Sequence, residues 1–97
     1  MQEENFMIAA FRSRQQVMTY ERALRQQGVH ADIITTPRAV ALGCGLSVRF
    51  EEKDLDRARR IYQQLQPGNL VGFYRVERAM NGKTTVRPVH SRSGSPQ

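Results

Sequence analysis

The chain has 97 residues, which is the size of one domain with a modest hydrophobic core. Its formal net charge is +6, and residues 78–97 supply +4 of it, because they contain four Lys or Arg and no acid. A single cysteine excludes an internal disulfide and a paired-cysteine redox motif, and the distant His30 and His90 give no metal-ligand spacing. No apolar run approaches the roughly 20 residues that span a bilayer. We therefore expect no cofactor, no metal and no membrane association.

Both ends of the chain are polar. The acidic start, Met1-Gln2-Glu3-Glu4, predicts that the chain has no signal peptide, and one unpaired cysteine suits a reducing cytoplasm. Basic tails can bind nucleic acid without sequence specificity, but residues 78–97 have no aromatic side chain for base stacking. We therefore favour a merely soluble end over a nucleic-acid-binding tail. We expect one domain over residues 1–77 and a basic tail, disordered after about residue 81, over residues 78–97.

The first half of the domain predicts a strand, a helix and a second strand. Residues 5–11 are almost wholly apolar, which is typical of a central strand with both faces covered. Ser13 is a helix N-cap with Gln16 as its capping-box partner, and Gly28 is a natural helix end. The buried stripe of this helix is predicted at Val17, Tyr20 and Leu24. Residues 30–35 form the next strand, which Pro37 ends.

The second half repeats this pattern. Leu46, Val48 and Phe50 alternate with polar residues, as in a half-buried strand. A second helix is predicted over residues 52–65, and a fourth strand over residues 70–76, which we place at a sheet edge. The buried side of the second helix is predicted at Leu55, Ala58, Tyr62 and Leu65.

The predicted fold is α+β, with the element order βαββαβ. This order suits a ferredoxin-like sandwich, a four-stranded antiparallel sheet with strand order 4-1-3-2 and both helices on one face. Beneath the helices, we expect Leu24, Leu55 and Leu65 to pack against Ile8, Val48 and Phe50. The other sheet face would stay open. Because the first strand is apolar on both faces, a homodimer is a candidate way to cover it.

The only cysteine lies between two glycines, Gly43 and Gly45. Glycine lacks Cβ, so these residues permit a sharp turn and the close approach of another molecule. Cys44 would then be the one large group on a bare loop. The alternative is a buried cysteine that acts as a small hydrophobe, which is the common role of a lone cysteine.

A longer motif surrounds Cys44. Thr36-Pro37-Arg38, followed by Gly43-Cys44-Gly45-Leu46-Ser47-Val48-Arg49-Phe50, resembles a small bacterial family of selenium/sulfur carrier-like proteins, with similarity over roughly residues 5–76. The resemblance implies that Cys44 accepts sulfur or selenium and passes it on as a persulfide or selenopersulfide. It also implies two protein partners, a donor and an acceptor.

The predicted topology places three arginines near the thiol. The loop that carries Cys44 lies at the same end of the sheet as the start of the first helix, whose positive dipole end favours anions. Arg12, Arg14 and Arg38 are candidates to crowd this corner, where they would favour the thiolate. With Gly43 and Gly45 they form the candidate substrate-binding set. For Arg12 or Arg14 alone, a solvated surface position is the better interpretation.

Two other functions stay open. A nucleic-acid-binding module is one, because the RNA-recognition fold shares this topology and Val71-Gly72-Phe73-Tyr74 resembles its aromatic strand. However, the Lys/Arg-Gly-Phe-type pattern of that fold is absent. A regulatory or assembly domain with a structural Cys44 is the other. No histidine-based catalytic arrangement is evident, which favours a carrier or accessory protein over a stand-alone enzyme.

Overall fold

The computed structural model describes residues 4–40, 45–66 and 68–89, and in it an antiparallel sheet carries two helices. In chain order the elements are β1 (Glu4–Phe11), α1 (Arg14–Gln26), β2 (Ala31–Thr35), β3 (Leu46–Phe50), a 3-10 turn (Glu52–Asp54), α2 (Leu55–Leu65), β4 (Leu70–Arg78) and β5 (Thr84–Pro88). The five strands lie in the order β2-β3-β1-β4-β5. The predicted α+β class is confirmed, and so is the antiparallel sheet with two helices.

The fifth strand corrects the prediction. The sheet has five strands rather than four, and β4 lies between β1 and β5 rather than at an edge. Disorder after residue 81 is wrong for Thr84–Pro88, and the sheet continues beyond the domain boundary that we expected after residue 77. A turn makes this pairing local: Gly82 adopts φ +89°, and the Ala79 N–H donates to the Lys83 carbonyl at 2.9 Å. Residues 90–97 of the predicted tail lie outside the described residues.

Helix α1 follows its sequence signals closely. Ser13 caps it, since the Ser13 hydroxyl accepts from the Gln16 N–H at 3.4 Å. The predicted stripe is confirmed, because Val17, Tyr20 and Leu24 are fully buried. The helix ends before Gly28, whose φ of +84° is the left-handed conformation that glycine adopts without steric cost.

Helix α2 departs from its predicted stripe. Ala58 is buried as expected, but Leu65 is 40% exposed, and Ile61, which the sequence reasoning missed, is buried. The physical reason is position: Leu65 is the last residue of α2, and the chain turns away at Gln66, whose φ is +46°. Leu55 and Tyr62 are only partly buried.

The main core lies between the helices and the sheet. Its centre is a group of aromatic rings. The ring centres of Phe11 and Tyr20 are 5.5 Å apart, and those of Phe73 and Tyr62 are 6.0 Å apart. Ile8 is not in this core, so its predicted packing beneath the helices is wrong. Strand alternation turns Met7, Ala9 and Phe11 towards the helices and leaves Ile8 on the opposite face.

The opposite face, the second sheet face, has a smaller apolar cluster. Phe6, Ile8 and Val76 are buried there, and Val40 packs against them. Val40 follows β2, so the chain after this strand folds back over the second sheet face. That face is therefore partly covered by its own chain, which corrects the expectation of an open face. A homodimer stays a prediction.

Candidate functional site

The thiol loop, residues 36–45, connects β2 to β3. Gly43 and Cys44 lie outside the described residues, but the segments that flank them are described. The Thr36 N–H donates to the Gly45 carbonyl at 3.1 Å, and the Val40 N–H donates to the Pro37 carbonyl at 3.0 Å. The two ends of the loop are thus tied together, and a turn at Pro37 follows the first of them.

A buried pair of hydroxyls reinforces the base of this loop. The side-chain oxygens of Thr36 and Ser47 lie 2.6 Å apart, with Thr36 7% exposed and Ser47 fully buried. Each hydroxyl satisfies the other, which matters because an unpaired buried polar group is costly. The sequence reasoning missed this pair. The available signal was the strand alternation, which places Ser47 on the face opposite Val48 and Phe50.

Gly45 stands in open space. Among the described residues, apart from its chain neighbour, no atom lies within 4 Å of a Cβ added at Gly45, and Gly45 is not among the glycines with positive φ. The local backbone therefore does not require glycine here. That a bare residue beside Cys44 leaves room for another molecule stays a prediction.

Arg12 and Arg14 lie at the start of α1, and both are exposed. The strand register pairs Phe11 with Leu46 and Leu46 with Thr35, so the start of α1 and both ends of the thiol loop share one end of the sheet. That part of the topological prediction is confirmed. Contact between these arginines and Cys44 stays a prediction.

Arg38 lines a cavity of about 430 Å³ on the second sheet face, together with Arg78 of β4 and Thr84 of β5. Arg12 and Arg14 do not line this cavity, which we name the loop cavity. Its lining residues are Thr35, Thr36, Pro37, Arg38, Ala39, Arg78 and Thr84. The three predicted arginines are therefore not seen to converge on one corner.

A comparison with known protein families identifies the chain. The model of a family described as "Putative Se/S carrier protein-like" matches residues 6–68, which is more than half of the chain. The chain belongs to this Se/S carrier-like family. A search of curated proteins and a search of solved structures each found no match.

The part of the chain that matches the Se/S carrier-like family contains the whole thiol loop, its hydroxyl pair and Arg38. Arg78 and Thr84, which complete the lining of the loop cavity, lie beyond the matched residues 6–68. The hairpin of β4 and β5 thus contributes two of the seven residues that line this cavity.

An ion-paired cluster borders the loop cavity. Glu4 binds two arginines through its two carboxylate oxygens, Arg49 at 3.3 Å and Arg78 at 3.3 Å. Both guanidinium groups lie over the ring of Phe6, at 4.0 Å and 5.5 Å from its centre. Arg49 lies on the second sheet face, where it is paired with Glu4. These arginines shield Phe6, which is 2% exposed.

The aromatic residues do not form a surface for stacking bases. Phe73 faces the helices, and its ring centre lies 6.3 Å from that of Phe50. Phe6 is covered, and Tyr74 is partly buried against Gly72. The resemblance of Val71-Gly72-Phe73-Tyr74 to an RNA-binding strand therefore gains no support. Among the described residues there is also no group of three or more His, Cys, Asp or Glu that could hold a metal, and no helix long and apolar enough to cross a membrane.

Proposed function

We propose that this member of the Se/S carrier-like family carries sulfur or selenium on the thiol of Cys44. The observation that carries the proposal is the family match over residues 6–68, which contains the only cysteine of the chain. A persulfide or selenopersulfide carrier needs one nucleophilic thiol. With no second thiol in the chain, the loaded atom has to leave by transfer to another molecule.

The proposed chemistry is two successive displacements at sulfur. In loading, the Cys44 thiolate attacks the terminal sulfur of a donor persulfide. A new S–S bond forms to Cys44, the S–S bond of the donor breaks, and the donor leaves as a thiolate. In delivery, an acceptor thiolate attacks the same terminal sulfur and Cys44 leaves as thiolate. A donor with terminal selenium reacts in the same way, and neither step needs an oxidant or a cofactor.

The described ends of the thiol loop support this role. Backbone and hydroxyl hydrogen bonds hold Thr36 against Gly45 and Ser47. A loop with a fixed base and an uncrowded Gly45 is suited to presenting one side chain to two different partners. We also infer that Arg12, Arg14 or Arg38 favours the thiolate, since nearby cations lower the pKa of a thiol.

Two wider assignments accompany the proposal. We infer a reducing compartment such as the cytoplasm, where a free thiol persists. We also assign the fold to the ferredoxin-like group, with β5 as an added strand. A protein donor and a protein acceptor are the expected partners.

Loading and delivery test the proposal directly. The folded protein is incubated with a cysteine persulfide or a selenium equivalent, separated from the donor, and measured by intact-mass spectrometry. The mass should increase by one sulfur or selenium atom, and an added acceptor thiol should remove that atom. Cys44→Ser is the control that should stay unmodified, and its circular dichroism should match that of the wild type. A wild-type protein that gains no mass under conditions that load a free cysteine would refute the proposal.

A further inference from the structure

The loop cavity is lined by two arginines whose hydrogen-bond donors are only partly used. Arg38 has no ion-pair or hydrogen-bond partner among residues 4–40, 45–66 and 68–89, and its side chain is exposed. Arg78 uses one Nη1–H for Glu4, which leaves most of its five N–H donors available. None of the described residues that line the cavity is acidic.

The charge of the surrounding cluster sets the charge of a suitable ligand. Arg49, Glu4 and Arg78 form an ion-paired group with a charge of +1, and Arg38 adds a further positive charge. Asp32 lies opposite Arg49 in the register of β2 and β3, so its carboxylate offsets one of these charges. The group keeps a net positive charge, and Arg38 and Arg78 therefore favour an anionic ligand in the loop cavity.

The hydrogen-bonding groups that line the cavity indicate which kind of anion fits it. Two guanidinium groups, each with donors in a planar fork, match the oxygens of phosphate or carboxylate. Thr84 lies directly opposite Arg78 in the β4–β5 register and adds a hydroxyl to the lining. A phosphate monoester offers three acceptor oxygens and a charge between about −1.5 and −2 at pH 7. It therefore suits this set of donors better than a single carboxylate does.

The size of the cavity indicates a small molecule. At about 430 Å³ it exceeds what inorganic phosphate alone would fill, and it falls in the range of roughly 300–1,000 Å³ that small-molecule sites occupy. We propose that the loop cavity binds a small phosphate monoester, with Arg38 and Arg78 on its phosphate group and Thr84 as an additional donor. The site goes beyond the proposed carrier function, because it needs no thiol and uses residues outside the family match.

The site also connects ligand binding to the thiol loop. Arg38 belongs to the loop itself, whereas Arg78 and Thr84 belong to the β4–β5 hairpin. A phosphate group held by both would bridge the loop to the hairpin across the second sheet face. Binding should therefore reduce the motion of residues 37–40.

The experiment is a titration of the full chain carrying Cys44→Ser, followed by two-dimensional NMR. Phenyl phosphate is the probe, and succinate, a dicarboxylate of similar charge, is the matched control ligand at constant ionic strength. We expect saturable shifts at Arg38, Arg78 and Thr84 with phenyl phosphate, and weaker binding of succinate. Because no thiol is present, failure here would leave the carrier function untouched, and failure of loading would leave this site untouched.

Matched variants separate a built site from general positive charge. Arg38→Gln should weaken binding about tenfold, the size of one charge-assisted hydrogen bond, and it removes no ion pair or hydrogen bond within the described residues. Thr84→Val should weaken binding without changing the charge. Arg60→Gln, at an exposed position on α2, should change affinity by less than about twofold, because it removes the same charge away from the cavity. Absent saturable binding, equal effects of Arg38→Gln and Arg60→Gln, or succinate bound as tightly as phenyl phosphate would each overturn the proposal.

Discussion

The two faces of the sheet are built on different principles. On the helix face, large side chains such as Phe11, Tyr20 and Leu24 are fully buried among aromatic rings. On the second sheet face, the apolar cluster of Phe6, Ile8 and Val76 is covered by guanidinium groups and by part of the thiol loop. The helix face therefore supplies most of the stability, and the second sheet face carries the polar groups that can serve recognition.

This division predicts that the described part of the thiol loop tolerates change better than the helices do. A loop that covers a small cluster contributes less apolar burial than a helix that covers the main core. Residues 37–40 can therefore vary at modest cost, while the base of the loop is fixed by Thr36 and Ser47. The predictions below test this difference between the faces.

The largest contrast is expected between two phenylalanines of β1. Phe11→Ala should destabilise the protein by about 3–5 kcal/mol, since it empties a position between Tyr20 and Tyr62. Phe6→Ala should lower the free energy of unfolding by clearly less, because the charged groups of Arg49 and Arg78 can become hydrated when the ring is removed. Urea unfolding of both variants measures the difference. Equal losses would mean that the two faces contribute alike.

The hydroxyl pair should show strong coupling. Ser47→Ala leaves the Thr36 hydroxyl buried without its partner, at a cost of about 1–3 kcal/mol. The double variant Thr36→Val, Ser47→Ala should lose less free energy of unfolding than the two single variants lose together. A double-mutant cycle by urea unfolding measures this coupling. Additive losses would show that the two hydroxyls do not depend on each other.

Two glycines provide a matched pair of tests. Gly28→Ala should cost about 1–2 kcal/mol, because alanine is strained at a φ of +84°. Gly45→Ala should change stability by less than about 0.5 kcal/mol, the range of surface substitutions. If Gly45→Ala slows sulfur loading while its unfolding curve is unchanged, Gly45 serves the approach of the partner. A Gly45→Ala variant as unstable as Gly28→Ala would contradict the open surroundings of this residue.

A further prediction concerns Tyr20. Its hydroxyl donates to the Ala58 carbonyl at 2.6 Å, so Tyr20→Phe should cost about 0.5–1.5 kcal/mol. Burial raises the pKa of Tyr20 above its ordinary value, and the nearby Tyr62 raises this pKa further. The unfolded chain therefore loses the Tyr20 proton first, and stability that is present below about pH 10 declines above it.

Unfolding measured from pH 8 to pH 11 tests the sign of this linkage. Tyr20→Phe should make the decline above pH 10 shallower, whereas Tyr74→Phe on the second sheet face is the control for loss of a phenol. An unchanged slope in Tyr20→Phe would show that this phenol does not titrate differently in the folded and unfolded protein.

Local signals made much of the fold predictable. The apolar run of β1, the Ser13 cap and Gly28 each act within a few residues, and these features agree with the structure. Strand β5 was missed because it has little apolar content and depends on pairing with β4 and on the turn at Gly82. Leu65 was misplaced because helical periodicity does not show where the sheet beneath the helix ends.

The polar features of the candidate site required long-range information. Thr36 meets Ser47 only through the β2–β3 register, and Arg38 lines the same cavity as Arg78 only because the chain after β2 folds back over the sheet. No sequence spacing encodes either arrangement. By contrast, the role of Cys44 was suggested by a contiguous motif, which is why the family could be predicted while the loop cavity could not.

The rate of Cys44 alkylation in the folded protein tests the central claim most directly. If Cys44 is the carrier thiol, iodoacetamide should modify it in native buffer, and faster near neutral pH than a cysteine with an unperturbed pKa of about 8.5. Arg60→Gln should leave this rate unchanged, and Arg38→Gln should slow it if Arg38 favours the thiolate. A Cys44 that resists alkylation until denaturant unfolds the chain would be a core residue, and that result would contradict the carrier function.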